Sequence, residues 1–150
     1  MRRWLRVLGA IRSAADLMLA LRILAFAACI PLLSRLGPAR LGAALKSRET
    51  RPLRPARVHA LLRLVDPVIA AGAPLVRPGC LTRGVTYYYF LTRAGLDVRL
   101  CFGIGIMDGQ DAGHCWLEYE GQPFLEKRDP RLSFTEVYAI AGVGPAGAVS

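Results

Sequence analysis

One stretch of the chain, residues 78–126, limits the fold most, because its pattern predicts a helix followed by strands in a fixed order. Pro78 and Gly79 form a turn signal. Apolar side chains then recur at helical spacing, at Leu81, Val85, Tyr88 and Leu91. Gly95 follows as a stop signal. Cys80 is therefore expected in the first turn of a helix.

A cysteine at the start of a helix is either a reactive thiol or an ordinary buried side chain. The unpaired backbone N–H groups and the positive end of the helix dipole lower the pKa of a thiol placed there. Free cysteine is also among the side chains that cores bury most often. Position alone leaves both interpretations of Cys80 open.

The segment after this helix carries the clearest strand pattern in the chain. In residues 98–106 the even positions are apolar and most odd positions are small or polar. Residues 107–112 are expected to form a polar loop. Residues 113–119, which include His114, and residues 123–127 are predicted as the next two strands. The expected fold class is α+β, with a cysteine-bearing helix packed on a small antiparallel sheet.

The turn after the second strand decides which side chain meets His114. A two-residue loop would pair His114 with Lys127, whereas a three-residue loop would put Glu126 on the face of His114. We predict the three-residue loop, because a lysine beside the imidazole would disfavour its charged form. Asp129, just beyond the strand, is the alternative acid. Taken alone, His114 also fits an ordinary half-buried histidine.

Three segments together resemble the lasso-peptide leader peptidases, which are transglutaminase-like domains of the microcin-processing type. These segments are Gly-Cys-Leu-Thr-Arg at 79–83, Thr-Arg-Ala-Gly-Leu-Asp-Val-Arg-Leu at 92–100, and Gly-His-Cys-Trp-Leu-Glu at 113–118. The short run Glu-Gly-Gln-Pro follows at 120–123. The resemblance covers about residues 57–140.

The resemblance implies a Cys-His-Asp triad, which maps onto Cys80, His114 and Glu126. A base and an orienting acid would then activate a thiolate. Glu126 departs from the aspartate that is more common in the family. Cys115 likewise replaces the usual alanine.

The resemblance also implies a fold and a function. The fold would be a transglutaminase-like or papain-like cysteine-protease core, and the activity would be removal of the leader from a lasso-peptide precursor without a cofactor. The implied partners are the precursor leader, a separate leader-recognition protein and an ATP-dependent lasso cyclase. Two alternatives stay open: a transglutaminase-like acyl transferase or deamidase, and a catalytically silent peptide-binding module.

Composition narrows the remaining choices. Of the 150 residues 53% are hydrophobic, which suffices for a core, and the formal net charge is +9. No run of aromatic-interleaved basic residues indicates nucleic-acid binding. The positive charge is consistent with an ordinary solvated surface, or with attraction to an acidic peptide or an anionic membrane. Four cysteines without a disulfide spacing pattern or a convincing signal peptide predict reduced thiols. No clustered set of zinc ligands is recognisable.

The N-terminal part, residues 1–54, is expected to combine an apolar helix with a basic linker. A capping box at 13–16 starts the helix, which should run to about Leu36. Its longest charge-free run, 23–34, is shorter than the roughly 20 residues of a membrane span. We therefore expect the helix to pack on the catalytic domain of a cytoplasmic protein, with loose peripheral contact with a membrane left open.

Residues 55–141 are expected to form the catalytic domain, and residues 142–150 a flexible tail. Pro55 suits the first turn of a helix that Pro67 kinks or ends. A short helix is predicted from Ser133 to about Ala141.

Overall fold

The computed structural model describes residues 2–45, 51–107 and 109–141 and shows an α+β fold. Its α-helices are α1 (Arg2–Ala10), α2 (Ala14–Leu33), α3 (Pro38–Leu45), α4 (Pro55–Ala71) and α5 (Cys80–Arg93). Its strands are β1 (Val98–Met107), β2 (Gln110–Tyr119), β3 (Gln122–Phe124) and β4 (Phe134–Ile140). Short 3₁₀ helices lie at Ser34–Leu36 and Pro130–Leu132. The predicted tail, residues 142–150, lies outside the described residues.

Local signals place the helix starts. The Ser13 side chain accepts a hydrogen bond from the Asp16 backbone N–H at 3.2 Å, which confirms the predicted N-cap of α2. The Asp16 carboxylate accepts in turn from the Arg12 backbone N–H at 2.9 Å. Pro55 lies in the first turn of α4 as predicted. Pro67 does not end that helix, which continues to Ala71.

The four strands form one antiparallel sheet in the order β3-β2-β1-β4. The predicted loop at 107–112 is wrong, because β1 and β2 pair as far as Met107 and Gln110. The reason is the Asp-Gly dipeptide at 108–109, which is a strong two-residue hairpin signal. Both strands are therefore longer than expected and project as a hairpin.

The helix predicted from Ser133 to about Ala141 is also wrong, because this segment is β4, paired with β1. Its sequence is rich in side chains that favour strands, namely Phe134, Thr135, Val137, Tyr138 and Ile140. A register shift between Phe102 and Gly103 interrupts the pairing. Buried and exposed side chains therefore do not alternate regularly along β4, so its sequence lacks the period of two by which strands are recognised.

Helices α2, α4 and α5 pack on one another, and α5 covers one face of the sheet. The centre of this core is fully buried and includes Leu61, Leu64, Val85, Leu91 and Leu100. The opposite face of the sheet carries a smaller cluster of Cys101, Trp116 and Phe134. Cys80, the candidate nucleophile, is the first residue of α5.

The segment Ala14–Leu36 is long and apolar enough to cross a membrane by length and composition, with a mean hydropathy of 2.2. This is weak evidence for a membrane span, because the charge-free run within the segment is only 23–34. Core helices and signal sequences meet the same two conditions. Only 28% of its most apolar window is buried.

Candidate active site

Cys80 is the first residue of α5, as predicted from the sequence. Gly79 precedes it with an extended backbone, and its carbonyl accepts the Arg83 N–H at 3.0 Å. The first N–H groups of a helix have no partner within the helix. The partial positive charge of this helix start therefore lies beside the Cys80 thiol.

The Cys80 sulfur is surrounded by groups that stabilise its thiolate. The Cys115 thiol, the Cys115 backbone N–H and the His114 side chain lie around it. Together they lower the pKa of Cys80 to about 4, the Cys115 side chain most strongly, although burial acts in the opposite direction. The pKa of Cys115 is raised, because its thiol donates to Cys80 and is buried. Cys80 is thus the thiolate of the pair.

Gly84 allows this close approach. It lies one helical turn after Cys80 and faces β2, where an added Cβ would stand 2.9 Å from the Cys115 sulfur. The same Cβ would stand 3.1 Å from Leu100. A side chain at this position would push α5 away from β2, so the absence of one brings Cys80 against the strand.

His114 is held between the thiol and a carboxylate. Its Nε2 lies 3.5 Å from a Glu126 carboxylate oxygen, which leaves Nδ1 as the nitrogen available to Cys80. Its ring packs against Phe134, with 5.0 Å between centroids, and against Trp116 at 6.2 Å. The imidazole is only 24% exposed. These contacts restrict the orientations of the ring.

The predicted three-residue loop before Glu126 is wrong. Tyr119 pairs with Gln122, so the loop has two residues, Glu120 and Gly121. Both have positive φ, 52° and 73°, as in the turns whose twist matches a hairpin. This geometric preference outweighs the charge argument on which the longer loop was based.

Glu126 nevertheless faces His114, by a route that strand parity does not describe. Strand β3 ends at Phe124, and Leu125 follows in the left-handed region with φ of 64°. The backbone turns at Leu125 and directs the next side chain back towards β2. Pairing has stopped by then, so Lys127 does not stand opposite His114 in the sheet.

Arg83 holds Glu126 in position. It was not identified as a functional residue from the sequence. Its guanidinium lies 3.4 Å from a Glu126 carboxylate oxygen and donates to the Leu125 carbonyl at 3.0 Å. It also donates to Asp66 of α4 at 2.9 Å and lies over the Tyr87 ring. The signal was present as the basic residue three positions after the cysteine. Arg83 therefore ties the acid-bearing loop to α4 and α5.

Asp129, the alternative acid, is engaged elsewhere. Its carboxylate caps the 3₁₀ helix Pro130–Leu132 through the Arg131 N–H and pairs with the Arg131 side chain at 2.8 Å. These bonds with Arg131 lower the pKa of Asp129. Of the two acids, the structure brings Glu126 into contact with His114.

A second polar cluster lies on the face of β2 that carries His114, and its side chains could offer ligands to a metal. Ligand atoms of Cys101, Glu118 and Glu136 lie within 4.8 Å of one another. The Arg99 guanidinium donates to both carboxylates, at 3.0 Å to Glu118. The Trp116 indole N–H donates to the other Glu118 oxygen at 3.2 Å. This cluster already contains its counter-charge, so it does not fit a site built for a cation.

The remaining cysteines differ from Cys80. Cys101 is buried and its pKa is raised by burial, whereas Cys29 is exposed on α2. Cys115 lies beside Cys80, a contact that was not predicted from the sequence. Its place in the motif, where the family usually has alanine, was the available signal.

The geometry of a thiolate, an imidazole and a carboxylate agrees with a comparison of the chain with known proteins. No curated protein and no solved structure matches the sequence. The model of the transglutaminase-like superfamily matches residues 20–139, which is more than half of the chain. That superfamily includes cysteine peptidases and acyl transferases, and its members are typically catalytic cysteine enzymes. The chain belongs to the transglutaminase-like superfamily.

Proposed function

We propose that the protein is a cysteine peptidase that removes the leader from a ribosomally synthesised lasso-peptide precursor. The observation that supports it most is the grouping of Cys80, His114 and Glu126 around one small cavity, with the His114 Nε2 3.5 Å from a Glu126 carboxylate oxygen. This is the order of nucleophile, base and orienting acid that amide cleavage requires. The leader-peptidase motifs at 79–83 and 113–118 suggest the substrate.

The chemistry starts with attack of the Cys80 sulfur on a backbone carbonyl carbon of the precursor. The carbonyl oxygen takes up the negative charge, and the N–H groups at the start of α5 are placed to stabilise it. As the C–N bond breaks, His114 gives its proton to the leaving amine. A thioester between Cys80 and the leader remains.

Water then completes the cycle. His114 takes a proton from a water molecule, whose oxygen attacks the thioester carbonyl. The C–S bond breaks, the leader leaves as a carboxylic acid, and Cys80 is again a thiolate. Glu126 stabilises the imidazolium in both halves of the reaction, and Arg83 keeps Glu126 in position.

A cavity of about 730 Å³ adjoins this site and would receive the peptide. His114 and Glu126 lie on one side of it, with Met107 of the hairpin and Phe134 of β4 nearby. Lys127 and Arg128 also line it and would favour acidic residues of a leader. Its volume is within the range of ligand pockets.

The proposal includes the partners expected from the resemblance. A separate leader-recognition protein would deliver the precursor, and an ATP-dependent lasso cyclase would use the released core peptide. In the described residues we find no additional domain that would read a leader. We therefore expect slow cleavage by the chain alone and faster cleavage with the recognition protein.

The test is incubation of the purified chain with the precursor and the recognition protein, followed by mass spectrometry. Two fragments separated by hydrolysis are expected, and Cys80→Ala should give none while keeping the wild-type circular dichroism spectrum. Cys29→Ala is the matched control, because Cys29 is exposed on a different helix, and it should cleave normally.

A primary amine in the same reaction separates peptidase from acyl transfer. If the amine is joined to a glutamine side chain while the backbone stays intact, the protein is a transglutaminase-like acyl transferase. A mass increase of a glutamine that becomes glutamate would indicate deamidation. Binding of the precursor without any covalent change would indicate a silent peptide-binding module. Each result would contradict the peptidase proposal.

A further inference from the structure

Helix α2 presents an apolar face to solvent, which we name the α2 face: Met18, Leu21, Ala25, Cys29 and Leu32. These residues recur every three or four positions, so they form one stripe along the helix. Met18, Leu21 and Leu32 are 54%, 53% and 67% exposed. The other side of α2 is buried in the core, where Ile23 and Ala27 are inaccessible to solvent.

A helix that is apolar on every side is normally surrounded by protein or by lipid. Half of α2 has protein around it, since it packs against α4 and α5. On the α2 face, no part of the described chain covers the apolar side chains. Because the buried half fixes α2 to the domain, an apolar partner would meet the helix from the side, along its length.

A cavity of about 670 Å³ lies beside this face and is rich in arginine. We name it the arginine pocket after five of its lining residues, Arg22, Arg51, Arg54, Arg57 and Arg93. Among the residues that the structure describes, no aspartate or glutamate lines it. Its cations come from α2, from the segment before α4, from α4 itself and from α5, so the fold brings them together from separate parts of the chain.

The charges of three arginines of the pocket, Arg22, Arg54 and Arg57, are not balanced by carboxylates of the residues that the structure describes. Burial lowers the pKa of Arg57, and repulsion from Arg22 and Arg54 lowers it further. None of these three arginines forms an ion pair with a carboxylate of the described residues. The acid nearest to them in effect is Asp16, which pairs with Arg63 at 2.8 Å. The pocket is therefore suited to an anion from outside the chain.

The aromatic side chains of the pocket do not form a platform for a nucleotide base. Phe26 stacks on Tyr89 with 4.1 Å between centroids, and the Arg93 guanidinium lies 3.6 Å from the Tyr89 ring centre. Phe90 meets both rings edge to face. The rings are thus used by each other and by Arg93, which leaves the cations as the recognition elements.

The α2 face and the arginine pocket adjoin each other on the same helix. Ala25 belongs to both, and Arg22, which lines the pocket, directly follows Leu21 of the face. An apolar stripe bordered by clustered cations suits the surface of an anionic bilayer: the stripe would contact the acyl chains, and the cations would contact the headgroup phosphates. A soluble phosphate compound would use only the pocket.

We propose that this surface docks the protein peripherally on an anionic phospholipid membrane, with α2 lying along the interface and lipid phosphate in the arginine pocket. The start of α5, with Cys80, is at the other end of that helix from Arg93. Docking would thus leave the candidate active site open to its peptide. The inference does not depend on the chemistry at Cys80.

The test is co-sedimentation of the full chain with vesicles of phosphatidylcholine alone or mixed with phosphatidylglycerol. Binding is expected only to the mixed vesicles and should weaken at high salt, because the attraction is electrostatic. The double variant Arg54→Gln/Arg57→Gln should bind about 25-fold more weakly, from about 1 kcal/mol, or about fivefold, per basic residue at an anionic surface. Met18→Gln/Leu21→Gln should also bind more weakly.

Arg77→Gln and Arg57→Gln form a matched pair, because each removes one positive charge and Arg77 is exposed close to the start of α5, away from the pocket. Arg57→Gln should bind about fivefold more weakly than the wild type. Arg77→Gln should bind mixed vesicles as the wild type does. Thermal unfolding of every variant would show that the fold persists.

Three outcomes would overturn the proposal. Equal binding to neutral vesicles that resists salt and alkali would mean that α2 crosses the bilayer. Absence of vesicle binding, with pyrophosphate raising the unfolding temperature of the wild type but not of the double arginine variant, would mean a site for a soluble anion. Vesicle binding that neither double variant weakens would place the membrane contact elsewhere.

Discussion

Each end of α5 carries an arginine, but only the arginine near the start has carboxylate partners among the described residues. Arg83, near the start, contacts two carboxylates, Asp66 and Glu126, and lies over the Tyr87 ring. Arg93, at the end, lies over the Tyr89 ring, and its hydrogen bonds in the described chain go only to carbonyl oxygens. An arginine whose charge is matched inside the protein holds other groups in place, whereas Arg22, Arg54 and Arg57, which have no carboxylate partner in the described residues, are available to an outside anion.

The comparison is tested most strongly at the acid that Arg83 holds. Glu126→Gln should lose about 10⁴-fold in cleavage rate, the factor known for the orienting acid of a serine protease, because the imidazolium loses its partner. Asp129→Asn is the matched control and should be nearly normal, since Asp129 pairs with Arg131. Rates of precursor cleavage measure both. The reverse ranking would mean that the loop after β3 turns differently in solution.

Replacement of the two arginines compares the ends of the helix directly. Arg83→Gln should slow cleavage by about 10²-fold through misplacement of Glu126, and Arg83→Lys should recover part of that loss. Arg93→Gln should leave the rate unchanged. The pH profile of kcat/KM should change for Arg83→Gln alone; an unchanged profile with a lower melting temperature would reduce Arg83 to a purely structural role.

Gly84→Ala tests whether the close packing of α5 on β2 assembles the site. Alanine normally stabilises a helix relative to glycine by about 1 kcal/mol. Here the added methyl group would stand 2.9 Å from the Cys115 sulfur, so we expect a loss of about 1–3 kcal/mol in unfolding free energy instead. Gly79→Ala, where an added Cβ meets nothing within 4 Å, should keep wild-type stability. Stabilisation of Gly84→Ala in denaturant titrations would contradict the packing.

The pH dependence of Cys80 alkylation gives a smaller effect. A lowered pKa means that the thiolate is present above about pH 4 and is lost as the pH falls through that value. The alkylation rate by iodoacetamide should therefore stay constant from neutral pH down towards pH 4. Cys115→Ala removes the largest cause of the lowered pKa, so its rate should fall at a higher pH. Identical profiles would show that the Cys115 thiol does not donate to Cys80.

The smallest effect is expected at the arginine end. Arg57→Gln relieves repulsion from Arg22 and Arg54, so the protein should become slightly more stable, within about 0.5 kcal/mol. Arg63→Gln is the contrasting variant and should be destabilising, because it leaves the buried Asp16 without its ion pair. Thermal unfolding measures both. A destabilised Arg57→Gln would show that the pocket is already balanced.

Local patterns were sufficient for the parts of the fold that local forces determine. The apolar spacing in α5, its start at Cys80 and the alternation in β1 each depend on neighbours in sequence, and the structure agrees with these predictions. Strand β4 depends on pairing with β1, whose paired residues lie 29 to 40 positions earlier, and its capping-like start favoured a helix instead. Tertiary pairing overrode that local signal.

The candidate site was predictable in its members but not in its contacts. Cys80, His114 and Glu126 were found from order and resemblance, and the structure brings them together. Arg83 and Cys115 were missed as contacts, because their partners are distant in sequence: Arg83 meets the loop after β3, and Cys115 meets α5 beside Gly84. Glu126 was placed correctly from an incorrect loop, since no pattern in the sequence signals that a leucine takes a positive φ.

The left-handed conformation of Leu125 has a consequence for how such a site can change over time. In a hairpin that continued to Glu126, adding or deleting one residue in the turn would reverse the side on which the acid stands. Here the pairing ends first, and the acid is aimed by one backbone rotation and anchored by Arg83. The length of the turn and the position of the acid are therefore free to vary separately, so a lineage could lengthen or shorten the hairpin and still keep a carboxylate beside the histidine.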